Sequence, residues 1–131
     1  MKHLLSLLVL LLALSACTGG NTPEMAAAQA AQGYYTLLAD SQVEAFLDGK
    51  AGAESFPPAY RSQLRQVYQH YVNELNEEHG GIREVRISGN VGQRDSAARL
   101  TYAFLLLCFS DSVQEEITVP MIEQGEDWKM K

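Results

Sequence analysis

The sequence predicts an α+β domain in which N-terminal helices pack on a four-stranded antiparallel meander sheet. Between residues 24 and 80, apolar side chains recur with the helical period of 3.6 residues. From Ile82 onward they alternate with the two-residue period of strands, and three polar turns divide this part into four segments. Helices followed by a run of strands are typical of the α+β class. Residues 24–131 are long enough for one hydrophobic core, so we expect a single domain.

The first residues form a short export signal. Lys2 and His3 precede an apolar run over residues 4–14, which is the order of a secretory signal. This run of about 11 residues is too short to span a hydrocarbon core, which needs roughly 20. The run closes on Leu14-Ser15-Ala16 followed directly by Cys17, and this order resembles the lipobox of bacterial lipoproteins.

The lipobox resemblance implies that residues 1–16 are a signal peptide and that Cys17 becomes the lipidated N-terminus. Residues 17–23 would then tether the domain to a membrane, on which two or more acyl chains anchor a protein stably. Thr18 is followed by no nearby acidic residue, unlike some inner-membrane retention and surface-export signals, so we expect an outer-membrane anchor facing the periplasm. The alternatives are a plain signal peptide and a buried helix with an incidental cysteine.

Charge and cysteine content exclude several classes of protein. The chain has 10 basic and 16 acidic side chains and a net charge of −6, which argues against nucleic acid as a partner. Its two cysteines are Cys17 and Cys108, so acylation of the first leaves no intramolecular disulfide. Cys108 lies in an apolar run, where a thiol most often behaves as a small buried hydrophobe.

Start and stop signals predict three helices. Thr22 and Pro23 open the first, which should run to about Ala39. Residues 41–44 have the pattern of a capping box that opens a short second helix, and Pro57-Pro58 opens a long third one ended by Gly80-Gly81. The predicted inward stripe of the third helix, with Tyr68 and His70 on its flanks, is Tyr60, Leu64, Val67, Tyr71 and Leu75.

Three predicted turns set the register of the strands. With turns at 94–95, 111–112 and 125–126, one apolar face is collected toward the helices. That face comprises Val85, Ile87, Leu100, Tyr102, Phe104, Leu106, Ile117, Val119, Met121, Trp128 and Met130. The opposite face gathers a second apolar patch, which we expect to bind a second copy of the chain or another envelope protein. Its residues are Ile82, Leu105, Leu107 and Phe109.

Three further features carry a family resemblance. They are the Tyr34-Tyr35 pair on the first helix, Glu115-Glu116 after a Ser-Asp-Ser turn, and the terminal segment 127–130. Together with the element order they resemble small envelope lipoprotein domains of the nuclear transport factor two-like, cystatin-like superfamily from Bacteroides-type bacteria. The resemblance implies a curved sheet that wraps a long helix and can leave a conical pocket. That fold hosts isomerases, dehydratases and many non-catalytic domains.

Few residues are suited to chemistry inside such a cone. His70 is a candidate base, and Tyr34, Tyr35 or Tyr68 are candidate hydrogen-bond donors to an oxyanion. The predicted register places Glu115 on the apolar face opposite Cys108, where its carboxylate is either buried at a cost or held in water at the sheet rim. The candidate pocket residues are therefore Tyr34, Tyr68, His70 and Glu115, and none is assigned a catalytic role.

The sequence thus favours a lipid-anchored, non-catalytic envelope domain that binds a small ligand or another envelope protein. The alternative is an isomerase- or dehydratase-like enzyme that uses an acid-base group inside the cone. Glu74, Glu77, Glu78 and His79 form a helical surface without a second ligand cluster, and no phosphate loop is present. We therefore expect neither a metal nor a cofactor.

Overall fold

The structure is a computed structural model that describes residues 22–131 as helices followed by an antiparallel sheet. The helices are α1 (Pro23–Ala39), α2 (Val43–Leu47) and α3 (Pro58–His79), with a 3-10 turn at Ala53–Ser55. The strands are β1 (Ile82–Asp95), β2 (Leu100–Phe109), β3 (Gln114–Gln124) and β4 (Asp127–Met130), in the spatial order β1-β2-β3-β4. The predicted α+β meander is confirmed. No helix in this part of the chain is both long and apolar enough to cross a membrane. The predicted signal peptide, Cys17 and most of the tether lie outside the described residues.

Helix α1 lies flat on the sheet because its inner face is built of small side chains. The Thr22 hydroxyl accepts a hydrogen bond from the Met25 amide (3.2 Å), so the predicted cap is confirmed. Ala27, Ala28 and Ala31 are completely buried against the strands. Their size allows the helix to approach the sheet closely and cover β1 and β2.

A bulge bends β1 toward the start of α1. Ile87 pairs with Leu105 and Gly92 pairs with Ala103, so residues 88–91 have no regular partners on β2. A side chain at Gly92 would meet the Tyr102 carbonyl oxygen at 2.6 Å. This position therefore needs glycine for the close approach of two backbones.

The predicted register is wrong in two of the three hairpins. The predicted turns at 94–95 and 111–112 imply that Val85 pairs with Phe104 and Leu106 with Ile117. In the structure Val85 pairs with Leu107, and Leu105 pairs with Ile117. The first turn is longer than predicted and occupies residues 96–99. In the second hairpin, each residue of β3 pairs with the β2 residue one position before the predicted partner. The third hairpin is as predicted, since Met121 pairs with Met130.

These shifts exchange the two faces of β2, so the predicted partner face is wrong. Leu105, Leu107 and Phe109 are at most 1% exposed and pack beneath the helices, and Ile82 packs against the same core. The physical reason is that β2 is apolar from residue 102 to residue 109, so alternation does not reveal which side faces the helices. The side chains that instead occupy the outer face of β2 are Leu100, Tyr102, Phe104, Leu106 and Cys108.

Helices α2 and α3 close the core at the other side of α1. Phe46 is fully buried and makes edge contacts with Tyr35 and Tyr68 at centroid distances of 5.3 and 4.7 Å. The Arg61 guanidinium joins the helices by ion pairs to Glu44 (2.9 Å) and Asp48 (2.8 Å).

Two local predictions for these helices are wrong. Tyr60 and Val67 are 45% and 57% exposed, because α3 turns Tyr68 and Val72 inward instead. The capping box does not form either, since Ser41 has a left-handed backbone (φ 61°) and α2 begins without a side-chain cap.

The last strand is held on both sides. It pairs with β3, and beyond it the Met130 amide donates to the Gly49 carbonyl (2.8 Å) while the Ala51 amide donates to the Met130 carbonyl (2.7 Å). Segment 49–51 therefore covers the β4 edge of the sheet.

Candidate functional site

The structure does not bring the four predicted pocket residues together. Tyr34 packs its ring on Gly49, where an added side chain would come within 2.4 Å of the ring. Its hydroxyl donates to the Trp128 carbonyl oxygen (2.6 Å). Tyr34 therefore joins α1 to β4 and has a structural role at this position.

Tyr68 belongs to a cluster of tyrosines, and Glu115 lies near another member of it, Tyr71. Tyr35, Tyr68 and Tyr71 are close enough to perturb one another, and burial raises the pKa of both Tyr35 and Tyr71 above its ordinary value. Glu115 is exposed and pairs with Leu107 in the sheet, so its carboxylate reaches water at the rim. The Lys50 ammonium lies 5.1 Å from the centre of the Tyr68 ring. The cluster is packed among core residues.

His70 lies outside the cone. Its side chain is 76% exposed and its Nε2 is 3.0 Å from the Glu74 carboxylate on the same helix. This position contradicts the prediction of a base inside the pocket. The space between the helices and the sheet is instead filled by a core that includes Phe46, Leu105 and Phe109.

A cavity that the sequence did not predict lies at the end of the sheet near the start of α1. It has a volume of about 430 Å³, which is within the range of small-molecule sites. The strands supply its walls at the ends of the β1–β2 and β3–β4 hairpins. Its lining residues are Arg94, Ser96, Arg99, Leu100, Thr101, Glu123 and Trp128.

The β1–β2 turn positions one wall of the cavity. The Asp95 carboxylate accepts a hydrogen bond from the Ala98 amide (3.2 Å), which holds the turn closed. Arg99 ends the turn with a left-handed backbone (φ 55°), a conformation that favours glycine or asparagine. An arginine with this backbone conformation lowers the stability of the fold, and residues strained in this way cluster at binding sites.

Trp128 forms the opposite wall and is firmly held. It pairs with Glu123 across β3 and β4, and its carbonyl oxygen accepts the hydrogen bond of the Tyr34 hydroxyl (2.6 Å). The next residue extends the support, because the Lys129 ammonium donates to the Asp48 carbonyl oxygen (3.3 Å). The half-buried indole therefore offers a rigid apolar surface.

The charged groups of the cavity are unpaired within residues 22–131. Arg61, Arg65 and Arg86 each bind a carboxylate, whereas Arg94 and Arg99 are in no ion pair of this range. Glu123 also lacks a basic partner there, and all three residues are exposed, so the cavity is bordered by solvated charges of both signs that form no ion pair with one another.

Thr101 supplies a neutral polar group beside these charges. Its side chain is only 3% exposed and makes no side-chain hydrogen bond within the described range. No buried side-chain oxygen or nitrogen of residues 22–131 lacks a hydrogen-bond partner, so the Thr101 hydroxyl oxygen is accessible from the cavity, where water or a ligand can bind it.

This arrangement is suited to binding and presents no nucleophile with an adjacent base. Two guanidiniums can hold a carboxylate or phosphate, and the indole can pack on an apolar group. Among residues 22–131 no three His, Cys, Asp or Glu side chains lie close enough to hold a metal ion. The available sequence signal was the pair of arginines, Arg94 and Arg99, on either side of one polar turn. It was missed because the turn was placed at Arg94 itself.

The fold is that of NTF2-like proteins, in which helices pack on an antiparallel sheet. The chain is similar to the crystal structure of a protein from Campylobacter jejuni described as an NTF2-like transpeptidase, with a TM-score of 0.60 and 10% sequence identity. The alignment covers 76% of this chain and 92% of that chain. At this identity the likeness establishes the fold alone. The sequence matches no protein-family model and no curated protein.

Proposed function

We propose that the chain is a lipid-anchored, non-catalytic envelope domain whose cavity binds a small ligand with an anionic group. The observation that carries the proposal is the pair of unpaired guanidiniums, Arg94 and Arg99, beside Trp128 in one cavity. Arginine binds carboxylates and phosphates through parallel hydrogen bonds, which gives direction as well as affinity. The NTF2-like fold is compatible with this role because it hosts binding domains.

The anchor is part of the same proposal. Cys17 would carry the lipid, on an outer membrane and facing the periplasm. Five residues, 18–22, then separate Cys17 from Pro23, and these two residues are about 20 Å apart when the segment is extended. Because Gly92 lies beside Glu24 at the start of α1, the cavity end of the domain would be held near the membrane. Cys17→Ser should release the protein from the membrane fraction and abolish incorporation of labelled palmitate, and unchanged incorporation would contradict the anchor.

Ligand binding can be measured through the fluorescence of Trp128, which is the one tryptophan of the chain. The full chain in detergent would be titrated with 3-phenylpropionate, an anion with an aromatic ring, and with inorganic phosphate. A saturable change in emission is expected with at least one of them. Arg94→Ser and Arg99→Ser should each weaken it, whereas Arg83→Ser, an exposed arginine outside the cavity, should not. Equal effects of all three variants would contradict the site.

A second candidate function is binding of a partner through the outer face of the sheet. Tyr102, Phe104 and Leu106 form a stripe there that no element of the described chain covers, and each is partly exposed. Glu116 crosses this face to reach the Ser88 hydroxyl. Contiguous apolar surface of this kind is typical of interaction sites. Phe104→Asp should then reduce recovery of the protein in cross-linked complexes from envelopes, and undiminished cross-linking of a folded variant would argue against this face.

A further inference from the structure

We propose that the ligand of the cavity is a zwitterion, an α-amino acid with an apolar side chain. This inference rests on the proposed function, because it names the chemical class that the same cavity recognises. It is carried by the presence of charges of both signs that form no ion pair with one another around one space, together with an apolar wall and a hydroxyl that lines the cavity.

The two kinds of charge come from different hairpins. Arg94 and Arg99 belong to the β1–β2 hairpin, and Glu123 belongs to the β3–β4 hairpin. Thr101 pairs with Met121, so Arg99 and Glu123 each lie two residues beyond this pair, at the same end of the sheet. No nitrogen of either arginine is within 4.0 Å of the Glu123 carboxylate, although all three residues line the cavity.

Positive and negative side chains that line one cavity without forming an ion pair favour a ligand that contacts both of them. A carboxylate bound by the arginines brings its negative charge toward Glu123, and this repulsion opposes the binding of a simple anion. An ammonium group on the adjacent carbon removes the penalty, because it can donate to the Glu123 carboxylate. The nearby acidic groups do not replace Glu123: Asp95 caps its own turn, and Glu126 and Asp127 do not line the cavity.

The remaining walls suit the rest of an amino acid. Trp128 offers an aromatic face and Leu100 an aliphatic side chain, so the ligand's side chain has an apolar surface to pack on. The Thr101 hydroxyl, which lines the cavity, can complete the polar contacts of the carboxylate or the ammonium. Together these features favour a ligand that has a carboxylate and an ammonium group at one end and an apolar side chain at the other.

The test compares three probes that share one ring and differ only in charge. The full chain is titrated with L-phenylalanine, 3-phenylpropionate and 2-phenylethylamine, and Trp128 emission reports binding. L-Phenylalanine should bind about tenfold more tightly than 3-phenylpropionate, the effect of one added charge-assisted hydrogen bond. 2-Phenylethylamine should bind more weakly than L-phenylalanine, since it lacks the group that the arginines hold.

Glu123→Gln provides the matched variant, because glutamine keeps the shape of the exposed side chain and removes its charge. It should abolish the preference for L-phenylalanine while leaving 3-phenylpropionate bound at least as tightly. Glu126→Gln, in the adjoining turn, should preserve the preference.

The results separate the two proposals. If 3-phenylpropionate binds and L-phenylalanine binds no better, or if Glu123→Gln keeps the preference, the zwitterion inference is overturned and the anion site stands. If none of the three probes changes the emission of the folded chain, the zwitterion inference fails, and if inorganic phosphate also has no effect, the anion site fails with it.

Discussion

Arg99→Gly should separate the stability of the domain from the function of its cavity. Arg99 has a φ of 55°, and an L-residue in this region costs roughly 1–2 kcal/mol. Glycine removes that cost but adds conformational entropy to the unfolded chain, worth about 0.4–1 kcal/mol. The free energy of unfolding of the variant should therefore be about 0.8 kcal/mol higher than that of the natural chain. For a domain of this size, the melting temperature would rise by about 3 °C.

The same substitution should weaken ligand binding. It removes one of the two guanidiniums, and a lost charge-assisted hydrogen bond of about 1.4 kcal/mol raises the Kd about tenfold. Thermal unfolding followed by circular dichroism gives the first quantity, and titration of Trp128 emission with 3-phenylpropionate gives the second. Stability and affinity are thus expected to change in opposite directions.

Ser112→Gly is the matched control for this experiment. Ser112 also has a left-handed backbone, with φ 72°, but it lies in the β2–β3 turn and does not line the cavity. It should raise the melting temperature by a similar amount and leave the affinity unchanged. A fall of more than 1 kcal/mol in the stability of Arg99→Gly, or unaltered affinity, would refute the reasoning.

Three further substitutions test the packing, the register and one charge contact. Gly49→Ala forces a methyl group into the tyrosine ring that packs on it, and should lower the free energy of unfolding in urea by about 1–3 kcal/mol. Leu105→Asp should prevent folding, since it places a carboxylate in the core, whereas Leu106→Asp on the outer face should leave the circular dichroism spectrum native. Asp111 accepts a hydrogen bond from His79, which lowers its pKa below the ordinary 3.8. Its contribution is therefore present above pH 3.8 and lost as the pH falls through the lower folded value. Asp111→Asn should flatten this acid limb of the stability profile.

Controls exist for two of these changes. Gly33→Ala meets no atom within 4 Å and lies inside α1, so it should stabilise the chain by up to about 1 kcal/mol. A loss of stability here equal to that of Gly49→Ala would show that the tyrosine contact is not the cause. Asp127→Asn should leave the acid limb unchanged, and an equal flattening would contradict the role of the Asp111–His79 contact.

Local signals in the sequence were sufficient for most of the elements. The cap at Thr22, the proline at the start of α3 and the left-handed Gly80 at its end act within a few residues, and each lies where it was expected. The third hairpin was also correct, because Gly125 has the positive φ (64°) that a tight turn there requires.

The sequence of β2 alone does not show which of its two faces packs against the helices. Both faces of this strand are apolar, so only the packing of α1 decides that Ala103 and Leu105 are buried. The first turn was misplaced for a related reason, since Arg99 adopts a backbone that its residue type disfavours. The β1–β2 turn supplies one wall of the cavity. Because the predicted position of this turn was wrong, the sequence did not predict the candidate site. The residue type of His70 suits a base, but the rotation of α3 leaves its side chain in water.

The covered edge beside β4 has a consequence for assembly. Unpaired strand edges invite other chains to add by main-chain hydrogen bonds, which leads to aggregation. At Met130 those hydrogen bonds are already taken by Gly49 and Ala51, and at the opposite edge the bulge at residues 88–91 interrupts the regular ladder of β1. Growth by strand addition is therefore blocked at one end of the sheet and broken at the other. Copies of the domain at high concentration can meet through side chains without forming a continuous sheet.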